Sequence, residues 1–220
     1  MALKVIVGLG NPGLEYENTR HNAGFLLLDR LSTAIGAQFR DSKPLRCAYA
    51  KLKHDGQDLL LVKPLTYMNL SGESVSACLH FYKAEPSHLL VIHDDVSLPL
   101  GRLRFQVGGG AGGQHGIESI IKCLSGSKSF DRLKIGVGPD PGGARRANYV
   151  LGRFSQDDWS ILDKGFATSK DGLLSWISRD TAFVANKYNN VNFAPAPPPP
   201  EVAPQVMPNS GAKIESGENI

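Results

Sequence analysis

An α/β fold, with a largely parallel sheet covered by helices on both faces, is the class this sequence predicts. Short apolar, β-branched runs alternate with segments whose apolar residues recur at helical spacing. The runs are of the buried type expected where both sheet faces are packed. Several of them end in polar residues, at the place where open α/β sheets carry their sites.

Leu3–Val7 reads as the first strand. Leu27, Leu28, Leu31 and Ile35 then mark one face of a helix stopped by Gly36. "DLLLVK", Asp58–Lys63, is a second strand, ended by Pro64, and Val75, Cys78, Leu79 and Tyr82 form the next helical face. Leu89–His93 and Leu103–Val107 are strands, Ile117, Ile120, Ile121 and Leu124 share a helix face, and Leu133–Val137 completes the strand set. Ser155 is placed to cap a helix, with Asp158 in the capping-box position and Trp159, Leu162, Phe166 and Trp176 following. These elements group into one domain, residues 1–189. In residues 190–220 the chain turns proline-rich: half of its fourteen prolines lie between Pro195 and Pro208. Such composition predicts a disordered tail of polyproline II character, either a ligand for a proline-binding domain or an extension without a role.

The net charge of +3 permits a nucleic-acid partner without requiring one. Three cysteines, far apart and without a CxxC pair, argue against a disulfide framework or a structural zinc site. The N-terminus reads as a strand rather than a secretory or transit signal, and no run approaches the ~18 apolar residues of a membrane span. A soluble cytoplasmic protein follows. A monomer is expected, since no amphipathic helix shows a surplus apolar face.

Gly8-x-Gly10-x-x-Gly13 has the spacing of a dinucleotide-binding turn, but its context does not fit. Pro12–Gly13 makes a turn, "LEYENTRHN" has no apolar face, and Asp29 lies inside a helix instead of at a strand end. What remains is a strand end delivering Asn11 and, after a loop, Thr19, Arg20, His21 and Asn22. "LLVIHDD" ends in His93, Asp94 and Asp95, and "KPLTYMNLSG" supplies Asn69 before a helix. A histidine can take a proton near neutral pH, a carboxylate can fix its tautomer, and amide NH2 groups can steady an oxyanion. Each residue also has a structural alternative. Asn11 suits a turn before Pro-Gly, Asn22 or Thr19 an N-cap, and Asn69 the brace of a turn. His93 could bond backbone, and Asp94 could pair with Arg102 or Arg104.

"VGGGAGGQHGIESI" is a glycine-rich loop opening a helix, without the Lys-Ser/Thr ending of a P-loop. It suits an anion or a closely approaching backbone, or serves as a connector. Arg104, with Arg102 and Lys134, could clamp a phosphate or line a solvated sheet edge.

In order along residues 1–189, "VGLGNPGLEYENTRHNAGF", "KPLTYMNLSG", "VIHDDVSLPLGRLRF", "GGGAGGQHGIESI" and "RLKIGVGP" resemble the bacterial-type peptidyl-tRNA hydrolases. The resemblance implies a single α/β domain with a twisted, mixed, mostly parallel sheet flanked by helices on both faces. It implies hydrolysis of the ester joining a peptide to the 3′ ribose of tRNA, with no metal or organic cofactor. His21 would be the general base and Asp94 its orienting partner. Asn11 and Asn69 would bind substrate near the ester, Tyr16 would pack beside the 3′ end and Met68 would line the peptide groove. Arg104 and Lys134 would hold tRNA phosphates, recognition being by shape and charge. A groove accepting a neutral amide would spare aminoacyl-tRNA with its cationic amine. The chain departs from the family at His115, where asparagine is usual among the substrate-binding residues, and at Gln106, where a lysine is common. A non-catalytic RNA-splicing or protein-binding member of the same fold is the alternative implied.

Overall fold

The computed structural model describes residues 2–191 and 193. The proline-rich tail predicted for 190–220 lies outside them, apart from residues 190, 191 and 193.

Among the described residues, seven strands form one mixed sheet. They are β1 (Lys4–Gly8), β2 (Arg40–Ser42), β3 (Cys47–His54), β4 (Gln57–Pro64), β5 (Leu89–Asp95), β6 (Leu103–Val107) and β7 (Asp131–Gly136). Their spatial order is β2-β3-β4-β1-β5-β7-β6. The central β4, β1, β5 and β7 pair in parallel, with β1 carrying Val5 beside Leu60 on one side and beside Leu89 on the other. β3 and β6 run against their neighbours.

Helices α1 (Ala23–Ala34), α2 (Ser71–Tyr82), α3 (His115–Cys123), α4 (Arg145–Leu151), α5 (Gln156–Ser178) and α6 (Thr181–Tyr188) complete the fold. Alternate residues of each central strand feed two cores, as the period of a strand requires. Ile6, Leu61, Leu90, Ile92, Leu133 and Ile135 pack against Leu27, Leu28 and Leu31 of α1 and Phe166, Leu173 and Trp176 of α5. Val5, Val7, Leu60, Val62 and Val91 meet Val75, Cys78 and Leu79 of α2 and Ile117 and Ile120 of α3 on the other face. Cys47 and Cys78, both free thiols, come within 3.6 Å in this second core.

Each predicted strand is present, as are the helices read from apolar spacing. The capping box of α5 forms as expected, Asp158 N–H donating to Ser155 Oγ at 3.1 Å while Ser155 N–H donates to Asp158 Oδ2 at 2.9 Å. Missing from the sequence reading were β2, β3, α4 and α6. β3 and β4 form a hairpin closed by Asp55-Gly56, both at positive φ (47° and 80°). An Asp-Gly pair with these angles matches the twist of a two-residue hairpin.

Candidate active site

The first two glycines of Gly8-x-Gly10-x-x-Gly13 are explained by packing against the start of α1, and Gly13 by a positive φ of 118°. A Cβ on Gly8 would lie 2.5 Å from the Gly24 carbonyl oxygen, and one on Gly24 would lie 2.5 Å from both Ile92 O and Leu9 N. Backbones at such distances admit no side chain on either partner. The start of α1 is thereby pressed onto the carboxyl ends of β1 and β5, and His21 is carried to the end of β5, where Asp94 stands.

His21 Nδ1 lies 2.9 Å from Asp94 Oδ2, and the carboxylate side chain is only 3% exposed. Burial disfavours the imidazolium, but the Asp94 charge and its hydrogen bond outweigh it and raise the His21 pKa above its ordinary value. Burial likewise opposes the Asp94 anion, yet His21, a Gln114 hydrogen bond and nearby His93 hold that carboxyl below the usual range. An anionic Asp94 accepts from Nδ1–H, so the lone pair of His21 sits on Nε2. The pairing of Asp94 with Arg102 or Arg104 does not occur, because β7 stands between β5 and the strand bearing Arg104. His93 bonds the Asp94 carbonyl through Nδ1 at 2.7 Å, and complete burial pushes its pKa down to about 4. It is a neutral, structural neighbour.

Asn11 and Asn22 bind each other. Asn11 N–H donates to Asn22 Oδ1 at 2.9 Å, and Asn22 Nδ2 donates to the Asn11 carbonyl at 3.0 Å. Asn22 therefore occupies the N-cap position of α1 without a side-chain cap bond. Asn11 Oδ1 accepts from Met68 N–H at 2.8 Å. That contact fixes the amide so that its NH2 has no partner among the described residues.

Asn11, His21, Met68, Asn69, Asp94 and His115 line one cleft of about 590 Å³ at the carboxyl ends of the central strands. Asn69 and His115 are exposed and Met68 is buried. Tyr16 is not among the lining residues; it packs edge-on against Tyr67, 6.4 Å between ring centroids, and Tyr67 forms the wall. Arg104 and Lys134 also lie outside the cleft. They are cross-strand partners on β6 and β7, and Lys134 Nζ is held 3.0 Å from Asp95 Oδ2. The predicted clamp thus contains an exposed arginine and a lysine already paired.

Two contributors escaped the sequence. Tyr67, 57% exposed, offers an aromatic face at the rim. Gln114 is buried and donates from Nε2 to Asp94 Oδ1 at 3.0 Å while Oε1 accepts from Ile117 N–H at 2.9 Å. Its place immediately before a helix in the glycine-rich loop was the available signal.

Fold and site together define an α/β protein with a buried histidine–aspartate pair in a cleft at the carboxyl ends of its strands. The family described as peptidyl-tRNA hydrolase matches residues 5–196. A peptidyl-tRNA hydrolase of Chlorobium phaeovibrioides is 43% identical over 189 residues, covering 85% of this chain and 98% of the relative. One from Synechococcus sp. is 39% identical over 219 residues, covering 100% of this chain and 95% of the relative. The crystal structure of peptidyl-tRNA hydrolase from Acinetobacter baumannii superposes with a TM-score of 0.83 at 32% identity, covering 87% of this chain and 97% of that one. The chain belongs to the peptidyl-tRNA hydrolase family. The alternative of a splicing or protein-binding member finds no support among these relatives.

Proposed function

We propose that this protein hydrolyses peptidyl-tRNA at the ester between the peptide and the 3′ ribose, with His21 as general base. The observation that carries the reading is the 2.9 Å contact between His21 and a buried Asp94. It leaves Nε2 as the basic nitrogen in a cleft that also holds the uncommitted amide of Asn11. Water gives a proton to Nε2 as its oxygen bonds to the ester carbonyl carbon. Asn11 Nδ2, with Asn69 in the same cleft, donates to the resulting oxyanion. Collapse breaks the bond to the 3′ oxygen, which takes the proton back from His21. Asp94 holds the imidazole in the Nδ1–H tautomer and favours its charged form during the reaction.

The buried thioether of Met68 and the ring of Tyr67, backed by Tyr16, present an apolar wall for the peptide. Its first amide is neutral, whereas aminoacyl-tRNA would bring an ammonium with it. His115 contributes a ring nitrogen at the rim. Arg104 and Lys134 meet tRNA phosphates on the β6–β7 face, with Asp95 offsetting part of the lysine charge. A monomer in the cytoplasm is part of the same reading. Among the described residues no helix is long and apolar enough to cross a membrane.

The test is release of the acyl group from N-acetylated aminoacyl-tRNA by purified protein, against the unacetylated form. We expect release of the acetylated substrate with intact tRNA recovered and little turnover of the free-amine form. Equal turnover of both would remove the specificity, and no turnover by folded protein would remove the hydrolase reading.

A further inference from the structure

We propose that Gln114 is a positioning residue of this centre, the group that aims Asp94 at His21 and joins that aim to the start of α3. The inference rests on the hydrolase reading above and adds to it a part carried by the glycine-rich loop.

Asp94 has two oxygens with separate tasks. Oδ2 faces His21, and Oδ1 accepts from Gln114 Nε2 at 3.0 Å. A carboxylate held by one bond can rotate about its terminal torsion; held at both oxygens it cannot without losing one contact. Gln114 is itself fixed at its other end. Its Oε1 caps α3 by accepting from Ile117 N–H at 2.9 Å, and its Nε2 lies 3.3 Å from the Met68 sulfur. A Cβ on Gly116 would come within 2.6 Å of that sulfur and 3.0 Å of Gln114 Oε1, so the room for this amide depends on glycine there.

The loop before Gln114 is anchored independently. Arg132 on β7, fully buried, donates both terminal nitrogens to the carbonyls of Gly109 and Gly110. The amide therefore stands on a fixed loop and a capped helix. Other charged or titratable groups in or next to the cleft are His93, Asp95, Lys134, His115 and Arg146. Among the described residues, none of these side chains bonds the Asp94 carboxylate, so His21 and Gln114 alone hold it.

Capping and aiming can be separated. Serine is a good N-cap but too short to reach Asp94, while methionine fills the volume and offers neither function. In single-turnover and steady-state hydrolysis we expect Gln114→Ser to lower kcat about 10- to 100-fold, the loss of one hydrogen bond to a buried charge, with KM nearly unchanged. Its melting temperature should fall less than that of Gln114→Met, which loses the helix cap as well. A substrate-free readout accompanies it: the low-field proton signal of the His21 Nδ1–H, protected by Asp94, should broaden or vanish in Gln114→Ser. Parent-like kcat and an intact signal in Gln114→Ser, with only Gln114→Met impaired, would reduce Gln114 to a helix cap and overturn the proposal. Should Gln114→Ser fail to fold, Gln114→Thr keeps the cap and serves in its place. A parent that hydrolyses nothing, with the low-field signal still lost in Gln114→Ser, would sink the hydrolase reading and leave the positioning role standing.

Discussion

At His21 folding stability and the proposed role as base pull toward opposite ends of the pH scale. The imidazole pKa is raised in the folded protein, so the stabilisation it contributes is fully present below its unfolded value and is lost as pH rises through the folded one. The Asp94 pKa is depressed, so its contribution is present above the ordinary carboxylate value and is lost as pH falls through the folded one. The pair therefore stabilises most in mildly acidic solution, where His21 is protonated and cannot act as a base. Denaturation of the parent and of His21→Ala should differ most near about pH 5 and converge toward about pH 9. Hydrolysis should rise with pH through an apparent pKa above that of a free imidazole. Asp94→Asn removes the charge but leaves the burial. We expect its acid limb to move to lower pH and its rate to fall by about 10²- to 10⁴-fold, measured as kcat/KM against pH. An unmoved limb in that variant would mean that some other group titrates.

At the level of elements, the approach of α1 to β1 and β5 decides where His21 stands. Gly24→Ala would force a methyl carbon to within 2.5 Å of backbone atoms of Ile92 on β5 and of Leu9 just after β1. Overpacking of this kind costs about 1–3 kcal/mol, and we expect a lowered midpoint in urea together with a rate loss larger than the unfolded fraction explains. A second anchor lies at the start of α5. Asp158 closes the Ser155 capping box and also holds Arg20, the neighbour of His21, at 3.0 Å. Ser155→Ala should cost about 1 kcal/mol in the same denaturation experiment, as loss of an N-cap does. These contacts show which parts of the site were legible beforehand. The capping box is a local pattern, so Ser155 and Asp158 could be read directly. The glycine motif was legible only as an anomaly, because Gly8 meets the backbone of Gly24, Gly10 meets the Phe25 ring and Gly13 has a positive φ. Gln114 was not legible as a site residue because its contact with Asp94 spans 20 positions of sequence. β3 went unread because its lysines break the apolar run, although Asp55-Gly56 marked the hairpin.

For the whole molecule, the cleft and the β6–β7 face adjoin at Asp95, which lines the cleft and holds Lys134. Lys134 is compensated by Asp95 and Arg104 has no ion-pair partner among the described residues, so the arginine should carry more of the phosphate contact. Arg104→Ala should raise KM for tRNA substrates, leave kcat nearly unchanged and flatten the dependence of kcat/KM on salt by about one counterion. Lys134→Ala should do less. A fall in kcat with KM unchanged in Arg104→Ala would place that residue in the chemistry instead. The fold class and the central strands were readable because apolar periodicity is a property of each segment alone. Pairing of Lys134 with Asp95 was not, since it depends on β5 and β7 lying side by side although an entire β-strand and helix separate them in sequence.

The most direct test of the account is the single-turnover rate of His21→Ala on N-acetylated aminoacyl-tRNA at saturating protein. Its fold should be checked by circular dichroism and its tRNA affinity measured in parallel. We expect unchanged affinity and a rate lower by about 10²- to 10⁴-fold, the range for losing a general base. A folded variant that binds tRNA and hydrolyses within a few-fold of the parent would contradict the account at its centre.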